Sequence, residues 1–323
     1  MNSKRSNTYL QAENSLIEHM FCTHCQKGKL VLTDESSLNC ISCGKIYPQS
    51  NGYFDFGVGS GESDYWDQHW SQLAASYDKA QPSRDAEKFH QIIPEVFKGK
   101  IVIDLGSGIC KNLESYLKYQ PKALIFSDLS GAVNWGAKRW YIIRQKYPHI
   151  PVLFLKADIY NMPIRRKDTS IVYTCSGLFN ILENQVRAVE DAMKYSDYIF
   201  FLYNSPLNSF GRFFYRLNPV RKRVQAVVRS EQWKTRFSCA LTFIIYPLIK
   251  LYIYSTHRHL NNLFDRSFTE VLIFDWVFSS PESRLESDAV YQGISPQIYR
   301  CQINENMGWI SRVMYYQINQ GGN

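Results

Sequence analysis

The sequence predicts an α/β protein in which a mostly parallel β-sheet is covered by helices on both faces. Three observations lead to this fold class. Short apolar runs alternate with helix-compatible segments between residues 100 and 203, as in a parallel sheet with crossover helices. Four cysteines form two close pairs near the N-terminus, and a long basic and apolar segment follows the last run. We therefore expect a small metal-binding module before the sheet and a helical insertion after it.

Composition limits the class of protein. The chain has 323 residues, of which 45% are hydrophobic. That length fits one large domain with a small one attached, and the apolar content excludes a wholly disordered chain. Four of the eight cysteines occur singly, which is typical of buried thiols in a reducing compartment. The N-terminal sequence MNSKRSNTYLQAEN lacks the apolar core of a signal peptide, so we expect a cytoplasmic protein.

The two cysteine pairs predict a zinc site. Residues 22–43 have the pattern C-x2-C, fourteen residues, C-x2-C. Four thiolates from two tight turns form a closed tetrahedral site, which is structural rather than catalytic. We expect zinc to be bound by Cys22, Cys25, Cys40 and Cys43. The module is predicted as a zinc ribbon at 21–58, after an N-terminal tail at 1–20, and YPQSNGYFDF resembles the last part of such ribbons.

A helical segment at 61–98 leads into the larger domain. Within it, Trp66, Trp70 and Tyr77 have helix-compatible spacings. Two interpretations remain open, namely a packing face and a helix that closes over a ligand.

The predicted sheet follows. Strands are expected at 100–105, 122–128, 151–155, 170–175 and 197–203, and helices at 111–120, 131–147 and 182–195. The α/β core would span 59–204, the insertion 205–280, and a closing helix and strands 281–323. Ligands of such sheets bind at the carboxyl ends of the strands, so the residues at those ends are the candidate site.

Acidic residues and glycines stand at these strand ends. The first strand ends in DLGSG, with Asp104 two residues before Gly106 and Gly108. A dinucleotide fingerprint needs a third glycine at position 111, where this chain has Lys111, so that motif fails. Asp128 ends the second strand and could accept both hydroxyls of a ribose. Asp158 follows the third and could accept from an adenine amine, while Ile159 and Met162 pack on its ring.

These features resemble the class I S-adenosylmethionine-dependent methyltransferases. The matching stretches are VIDLGSG at 102–108, LIFSDLS around Asp128, KADIYNMPI around Asp158, and DTSIVYTCSGLFN at 168–180. Near the C-terminus, PQIYRCQI and GWISRVMYYQI look like the closing antiparallel pair of that Rossmann-like fold. The resemblance implies a cofactor-binding set at the strand ends: Asp104, Gly106, Ser107, Gly108, Asp128, Leu129, Asp158, Ile159 and Ser176.

The same resemblance implies the role of each group. Asp104 and Gly106 would lie near the methionine part of S-adenosylmethionine, with Gly108 under it and Ser176 at the methionine or substrate end. Two departures stand out. Cys110 occupies the third small position of the first motif, and GLFN at 177–180 stands where many small-molecule relatives carry histidines.

The insertion at 205–280 is predicted to be a helical lid that sets substrate specificity. Residues 205–260 hold ten Lys and Arg against one acid, so the net charge of +8 is local to this segment. The apolar run 237–255 contains Pro247 and Lys250, and a spanning helix needs about 20 apolar residues. A buried lid helix, peripheral membrane contact and a spanning segment all remain open. The lid would suit a hydrophobic or partly anionic acceptor.

Three functions are compatible with these patterns. The first is a small-molecule methyltransferase that transfers the methyl group by in-line displacement. The second is an RNA methyltransferase that grips phosphates with the ribbon and the basic insertion. The third is a non-catalytic adapter that keeps the fold. Methyl transfer needs a general base only for some acceptors, and we assign no catalytic residue. The candidates for such a base are His69, His90, His257, His259, Tyr203 and Asp275.

Overall fold

The computed structural model describes residues 14–33, 37–57, 62–79, 85–164, 170–176, 182, 184–203, 216–256, 266, 269–270, 273, 277, 299–304 and 312–318. The strands are β1 (Leu30–Thr33), β2 (Ser37–Cys40), β3 (Ile46–Ser50), β4 (Tyr53–Asp55), β5 (Ile101–Leu105), β6 (Ala123–Asp128), β7 (Val152–Lys156), β8 (Ile171–Ser176), β9 (Tyr198–Tyr203), β10 (Tyr299–Asn304) and β11 (Arg312–Ile318). The helices are α1 (Glu62–Lys79), α2 (Asp85–Ile92), α3 (Leu113–Leu117), α4 (Val133–Ile143), α5 (Gln185–Met193), α6 (Asn218–Val227) and α7 (Glu231–Thr256).

The eleven strands in the described part of the chain form one sheet, in the order β1-β2-β3-β4-β7-β6-β5-β8-β9-β11-β10. Strands β5 to β9 are parallel, and β11 is antiparallel to β9 and to β10. Strand β5 lies at the centre of the parallel region. The chain continues to β6 and β7 on one side of β5 and then crosses to β8 on the other side. The strand order therefore reverses beside β5, and ligands of open α/β sheets bind in such a crevice. This is the Rossmann-like methyltransferase fold, and the predicted fold class is confirmed.

Each of the five parallel strands lies within one residue of its predicted bounds. The reason is visible in their burial, because every residue of β5 and β6 is buried. A strand covered on both faces is a continuous apolar run, which is easy to recognise in sequence. The predicted helix at 111–120 is shorter in the structure, where α3 has five residues. The predicted helical segment at 61–98 contains α1 and α2.

Two apolar layers cover the sheet. One includes Phe89 of α2, Tyr116 of α3 and Trp140 of α4, which pack against Val102 and Phe126. The other contains the opposite side chains of the same strands, such as Ile103 and Tyr173, together with α5.

The N-terminal segment completes the second layer. Leu16, Ile17 and Met20 are buried in it, although they belong to the segment predicted as a tail. Residues 14–17 are helical, and Met20 forms an antiparallel bridge with Ile164. The described part of the β7–β8 connection contains only the 3-10 turn Ile159–Asn161. A parallel crossover usually carries an α-helix, and here the N-terminal segment covers part of that face instead.

The insertion contributes α6 and α7. Gln225 of α6 donates to the carbonyl oxygen of Val277 at 2.6 Å, which ties this helix to a described residue beyond α7. None of the helices in the described part of the chain is long and apolar enough to cross a membrane. The division of the chain into five segments stays a prediction, as does the role of this insertion as a lid.

Candidate functional site

The four cysteines near the N-terminus form one cluster. Their sulfur atoms all lie within 4.8 Å of one another. The Cys22 and Cys43 sulfurs are 3.6 Å apart, and those of Cys25 and Cys40 are 3.7 Å apart. Zinc–thiolate bonds of about 2.3 Å in a tetrahedron put the sulfurs about 3.8 Å apart. The residues therefore fit a zinc ion in number, chemistry and spacing.

The backbone of the first knuckle favours the thiolate form that zinc requires. The amide of Cys25 donates to the Cys22 sulfur at 3.5 Å, and the amide of Gly28 donates to the Cys25 sulfur at 3.3 Å. Backbone hydrogen bonds from Lys27 and Gly28 lower the pKa of Cys25 to about 6. A Cβ atom on Gly28 would lie 2.1 Å from the Cys40 sulfur, so only glycine fits there.

The knuckle also contacts the loop after β7. The Gln26 side-chain amide donates to the Thr23 carbonyl oxygen and to the Asn161 side chain, both at 2.8 Å. The amide of Phe21 donates to the carbonyl oxygen of Pro163 at 3.1 Å. At the other end of the ribbon, β4 pairs with β7. The ribbon is thus attached to the segment that contains the predicted adenine-binding residues.

The turn after β5 has a left-handed backbone at three positions. The φ angles are +61° at Gly106, +50° at Gly108 and +57° at Cys110. Glycine adopts this conformation without steric cost, whereas cysteine does not. The amide of Ser107 donates to the carbonyl oxygen of Ser127 at 3.0 Å, which holds the turn against β6.

Cys110 is fully buried and packs beside α4. A Cβ atom on Gly136 of that helix would lie 2.5 Å from both the Cβ and the sulfur of Cys110. The cysteine side chain therefore fills space that a residue larger than glycine at position 136 would need. Burial raises the pKa of Cys110 well above its usual value, so the thiol is a packing group here.

Asp104 lies beneath the turn in a polar network. Its side chain is only 2% exposed. One oxygen accepts from the Thr174 hydroxyl at 3.2 Å and the other from the Asn112 amide at 3.3 Å. The Tyr116 hydroxyl in turn donates to Thr174 at 2.8 Å. These contacts make Asp104 a positioning residue for the turn, and its contact with a cofactor stays a prediction.

Asp128 joins the turn to the end of β6. Oδ2 accepts from the amide of Gly108 at 2.8 Å, and Oδ1 accepts from the amide and hydroxyl of Ser130 at 2.9 and 2.7 Å. The carboxylate is buried, and this desolvation raises its pKa against the opposing effect of these hydrogen bonds. Leu129 beside it is half-buried. The predicted ribose acid is therefore at the predicted turn.

The remaining predicted residues follow β7 and β8. Asp158 is half-buried, and its Oδ1 accepts from the amide of Tyr160 at 2.9 Å, which caps the 3-10 turn. Ile159 is partly buried against the second apolar layer. Ser176 ends β8. The GLFN turn at 177–180 lies outside the described residues.

Helix α1 crosses the carboxyl ends of these strands. The Trp70 ring packs on Gly108 so closely that a Cβ there would lie 2.5 Å from the indole. Asp67 accepts from the amide of Gly131 at 2.6 Å and pairs with Lys156 at 2.8 Å. Helix α1 thus packs on the turn, and its closure over a ligand stays a prediction. The contacts of Asp67 could not be predicted from the sequence, since both partners are distant in the chain.

The end of α1 is held by α4. Arg139 forms an ion pair with Asp78 at 3.7 Å and donates to the carbonyl oxygen of Ile109. This arginine therefore links the covering helix to the turn after β5.

A cavity of about 210 Å³ adjoins the loop after β7. It lies between the first knuckle, the 3-10 turn and α5, and its walls include Gln26, Leu105, Ile159, Tyr173 and Arg187.

The structure describes the side chains of two of the candidate general bases, His69 and His90. His90 stacks on Tyr119 with ring centroids 4.1 Å apart and accepts from the amide of Glu95. His69 is buried next to Trp70, the residue that packs on Gly108. His257, His259, Asp275 and the side chain of Tyr203 lie outside the described residues.

Comparison with known proteins finds no match to a protein-family model or to a curated protein. Solved structures do match. The magnesium protoporphyrin IX methyltransferase of Synechocystis PCC 6803 with bound SAH is 10% identical, over 81% of this chain and 97% of that one, with a TM-score of 0.41. A SAM-dependent methyltransferase from Anabaena variabilis is 8% identical, over 81% and 97%, with a TM-score of 0.43. The small RNA methyltransferase HEN1 is 12% identical, over 74% of this chain but 25% of that one, at 0.43. Because these sequence identities and TM-scores are low, the fold is assigned from the strand order and not from these similarities.

Proposed function

We propose that this protein is an S-adenosylmethionine-dependent methyltransferase that acts on a small, hydrophobic or partly anionic molecule. The observation that carries the proposal is the junction of the G-x-G turn with Asp128. The Gly108 amide donates to this carboxylate at 2.8 Å, at the point where the strand order reverses. This arrangement supports a nucleoside site, because it combines a glycine turn for close approach with an acid for ribose hydroxyls.

In this proposal the cofactor supplies an electrophilic methyl group, and the chain supplies position, alignment and exclusion of water. Gly106, Ser107 and Gly108 let the methionine part approach the backbone. Asp128 accepts from the ribose, and Leu129 packs on the adenine.

The loop after β7 would complete the adenine site. Asp158 accepts from the exocyclic amine, and Ile159 covers the ring. Ser176 at the end of β8 would lie beside the methionine or the acceptor. The zinc ion, held by the four cysteines, would fix the ribbon that contacts this loop through Gln26 and Asn161.

Two contacts would have to change when the cofactor binds. Trp70 packs on Gly108, so its ring would move off the turn and then cover the bound molecule. Asp128 already accepts three hydrogen bonds, and a carboxylate has about four acceptor positions. Binding of both ribose hydroxyls would therefore release at least one of these bonds. Helix α1 is thus proposed as the cover that opens and closes.

The test is methyl transfer from labelled S-adenosylmethionine to extracts of small molecules and lipids, with products identified by mass spectrometry. Gly106→Val should abolish transfer, because a branched side chain at φ +61° would distort the turn. Gly99→Val is the matched control, since Gly99 has φ +67° but no neighbour within 4 Å at the Cβ position. Transfer by wild type and Gly99→Val alone supports the proposal, whereas equal transfer by all three overturns it.

The same experiment separates the other functions. Labelled RNA in place of labelled small molecules would favour the RNA methyltransferase hypothesis. Cofactor binding with no transfer to any extract would favour the adapter.

A further inference from the structure

Helix α7 buries two of its polar side chains and exposes six of its large apolar ones. Ser238 and Thr242 are 1% and 0% exposed, one turn apart, and Thr242 donates to the carbonyl oxygen of Ser238 at 2.7 Å. The outward side chains form what we call the α7 apolar face, and each is 54–68% exposed: Trp233, Phe243, Ile244, Leu248, Leu251 and Tyr254. A surface helix normally has the reverse arrangement.

The α7 apolar face is large for a soluble surface. Six side chains of this size at these exposures present on the order of 700 Å² of apolar area, whereas the largest patch of a typical monomer is about 300–600 Å². From Trp233 to Tyr254 the face runs about 32 Å at 1.5 Å per residue. Contiguous apolar surface of this extent marks an interaction site.

Basic side chains lie among and beside these residues. The guanidinium of Arg236 lies 5.3 Å from the centre of the Trp233 ring, and that of Arg266 lies 5.6 Å from Phe243. Residues 218–256 contain seven Lys and Arg and one acid, Glu231. Of these, Lys222, Arg223, Arg229 and Arg236 are exposed. A partner that covers this surface therefore needs both apolar groups and negative charge.

A groove at the elbow between α6 and α7 has the same character. Its volume is about 670 Å³, and its walls include Val227, Trp233, Phe237 and Ala240. Arg229 and Arg236 also line it. Apolar walls with two guanidinium groups suit an acyl chain that carries an anionic phosphate.

We propose that the surface of α6 and α7 binds an anionic lipid bilayer, with α7 in the plane of the interface. The α7 apolar face would enter the boundary between headgroups and acyl chains, and the basic residues would pair with lipid phosphates. A second copy of the chain is the poorer occupant, because a two-fold interface would bring two clusters of like charge together. Nucleic acid would match the charge but leave the apolar face in water.

The proposal is independent of the proposed enzyme activity, since bilayer binding requires no cofactor. The experiment is co-sedimentation of the full chain with vesicles of phosphatidylcholine alone and of phosphatidylcholine mixed with phosphatidylglycerol. Wild type should bind the anionic vesicles, less so as salt is raised. The double variant Ile244→Asp/Leu248→Asp should bind about tenfold or more weakly. Gly106→Val should bind like wild type, which separates this result from failure of the enzyme proposal.

Ile142→Asp is the matched control, because Ile142 is 76% exposed on α4. It should bind like wild type, and both Ile142→Asp and the double variant should keep the wild-type urea midpoint. Absence of binding to anionic vesicles overturns the proposal. So does equal binding by wild type and the double variant. A wild-type dimer that the double variant converts to monomer, without vesicle binding, would assign the face to a second copy. RNA binding without vesicle binding would assign the surface to nucleic acid.

Discussion

Cys110 and Gly136 compete for one space beside the G-x-G turn, which allows a quantitative test by a double-mutant cycle. A Cβ at position 136 would lie 2.5 Å from the Cβ and sulfur of Cys110, and 2.8 Å from the Phe154 ring. We therefore predict that Gly136→Ala destabilises the wild-type protein and is tolerated much better when Cys110→Gly is also present.

The magnitudes follow from the structure. Cys110→Gly relieves a left-handed conformation that costs about 1–2 kcal/mol, and it removes a fully buried side chain of similar value. Its own effect on the free energy of unfolding should be within about 1 kcal/mol. Gly136→Ala gains about 1 kcal/mol of helix propensity but loses about 1–3 kcal/mol to overpacking. Most of that loss arises from Cys110, so the coupling energy should be about 2 kcal/mol.

The assay is urea unfolding of the wild type, both single variants and the double variant. The double variant should be more stable than the sum of the single effects by that coupling energy. Additive effects within about 0.5 kcal/mol would refute the packing described for this turn. In the same proteins, Cys110→Gly should bind S-adenosylhomocysteine within a few-fold of wild type. Complete loss of binding would contradict the assignment of Cys110 as a packing group.

Three further predictions concern the turn, its acid and the metal. Gly108→Ala should weaken cofactor binding in calorimetry by at least about tenfold and alter tryptophan fluorescence, because the new Cβ would displace Trp70. Asp128→Asn keeps only one of the two oxygens that accept from Gly108 and Ser130, and it should weaken binding by about 2 kcal/mol. Burial raises the pKa of Asp128 in the folded protein. The contribution of this group to the free energy of unfolding is therefore full below its unfolded pKa of about 3.9 and falls as the pH rises through its folded pKa. Urea midpoints of wild type relative to Asp128→Asn should therefore decline with pH, and a constant difference would contradict this. Chelation of zinc should lower both the melting temperature and cofactor affinity, and Gln26→Ala should lower the affinity alone.

The parallel sheet was predictable because its strands are buried on both faces. Such strands are mostly apolar runs, and glycine or an acid marks where β5 and β6 end. The packing of the N-terminal segment was not predictable in this way. Met20 forms a bridge with Ile164, more than a hundred positions away, and Leu16 is buried in the same apolar layer. Local periodicity contains no information about such partners.

The candidate site, too, could be predicted only in part from the sequence. The positions of Asp104 and Asp128 follow from strand ends, and Ser130 lies only two residues from Asp128. The hydrogen bonds of Asp104 with Thr174 and Asn112 could not be predicted in this way, because these partners are more distant in the chain. Hydropathy alone does not predict which side of α7 in the insertion faces solvent. The sequence indicates that 237–255 is apolar, yet only the structure shows that the apolar side of α7 faces outward while Ser238 faces inward.

The central claim is that the turn at Gly106–Gly108 binds a methyl donor, and calorimetric titration with S-adenosylhomocysteine tests it most directly. Wild type and Gly99→Val should each bind one molecule per chain, and Gly106→Val should bind none. Absence of binding by the zinc-loaded wild type, or unchanged binding by Gly106→Val, would contradict the claim.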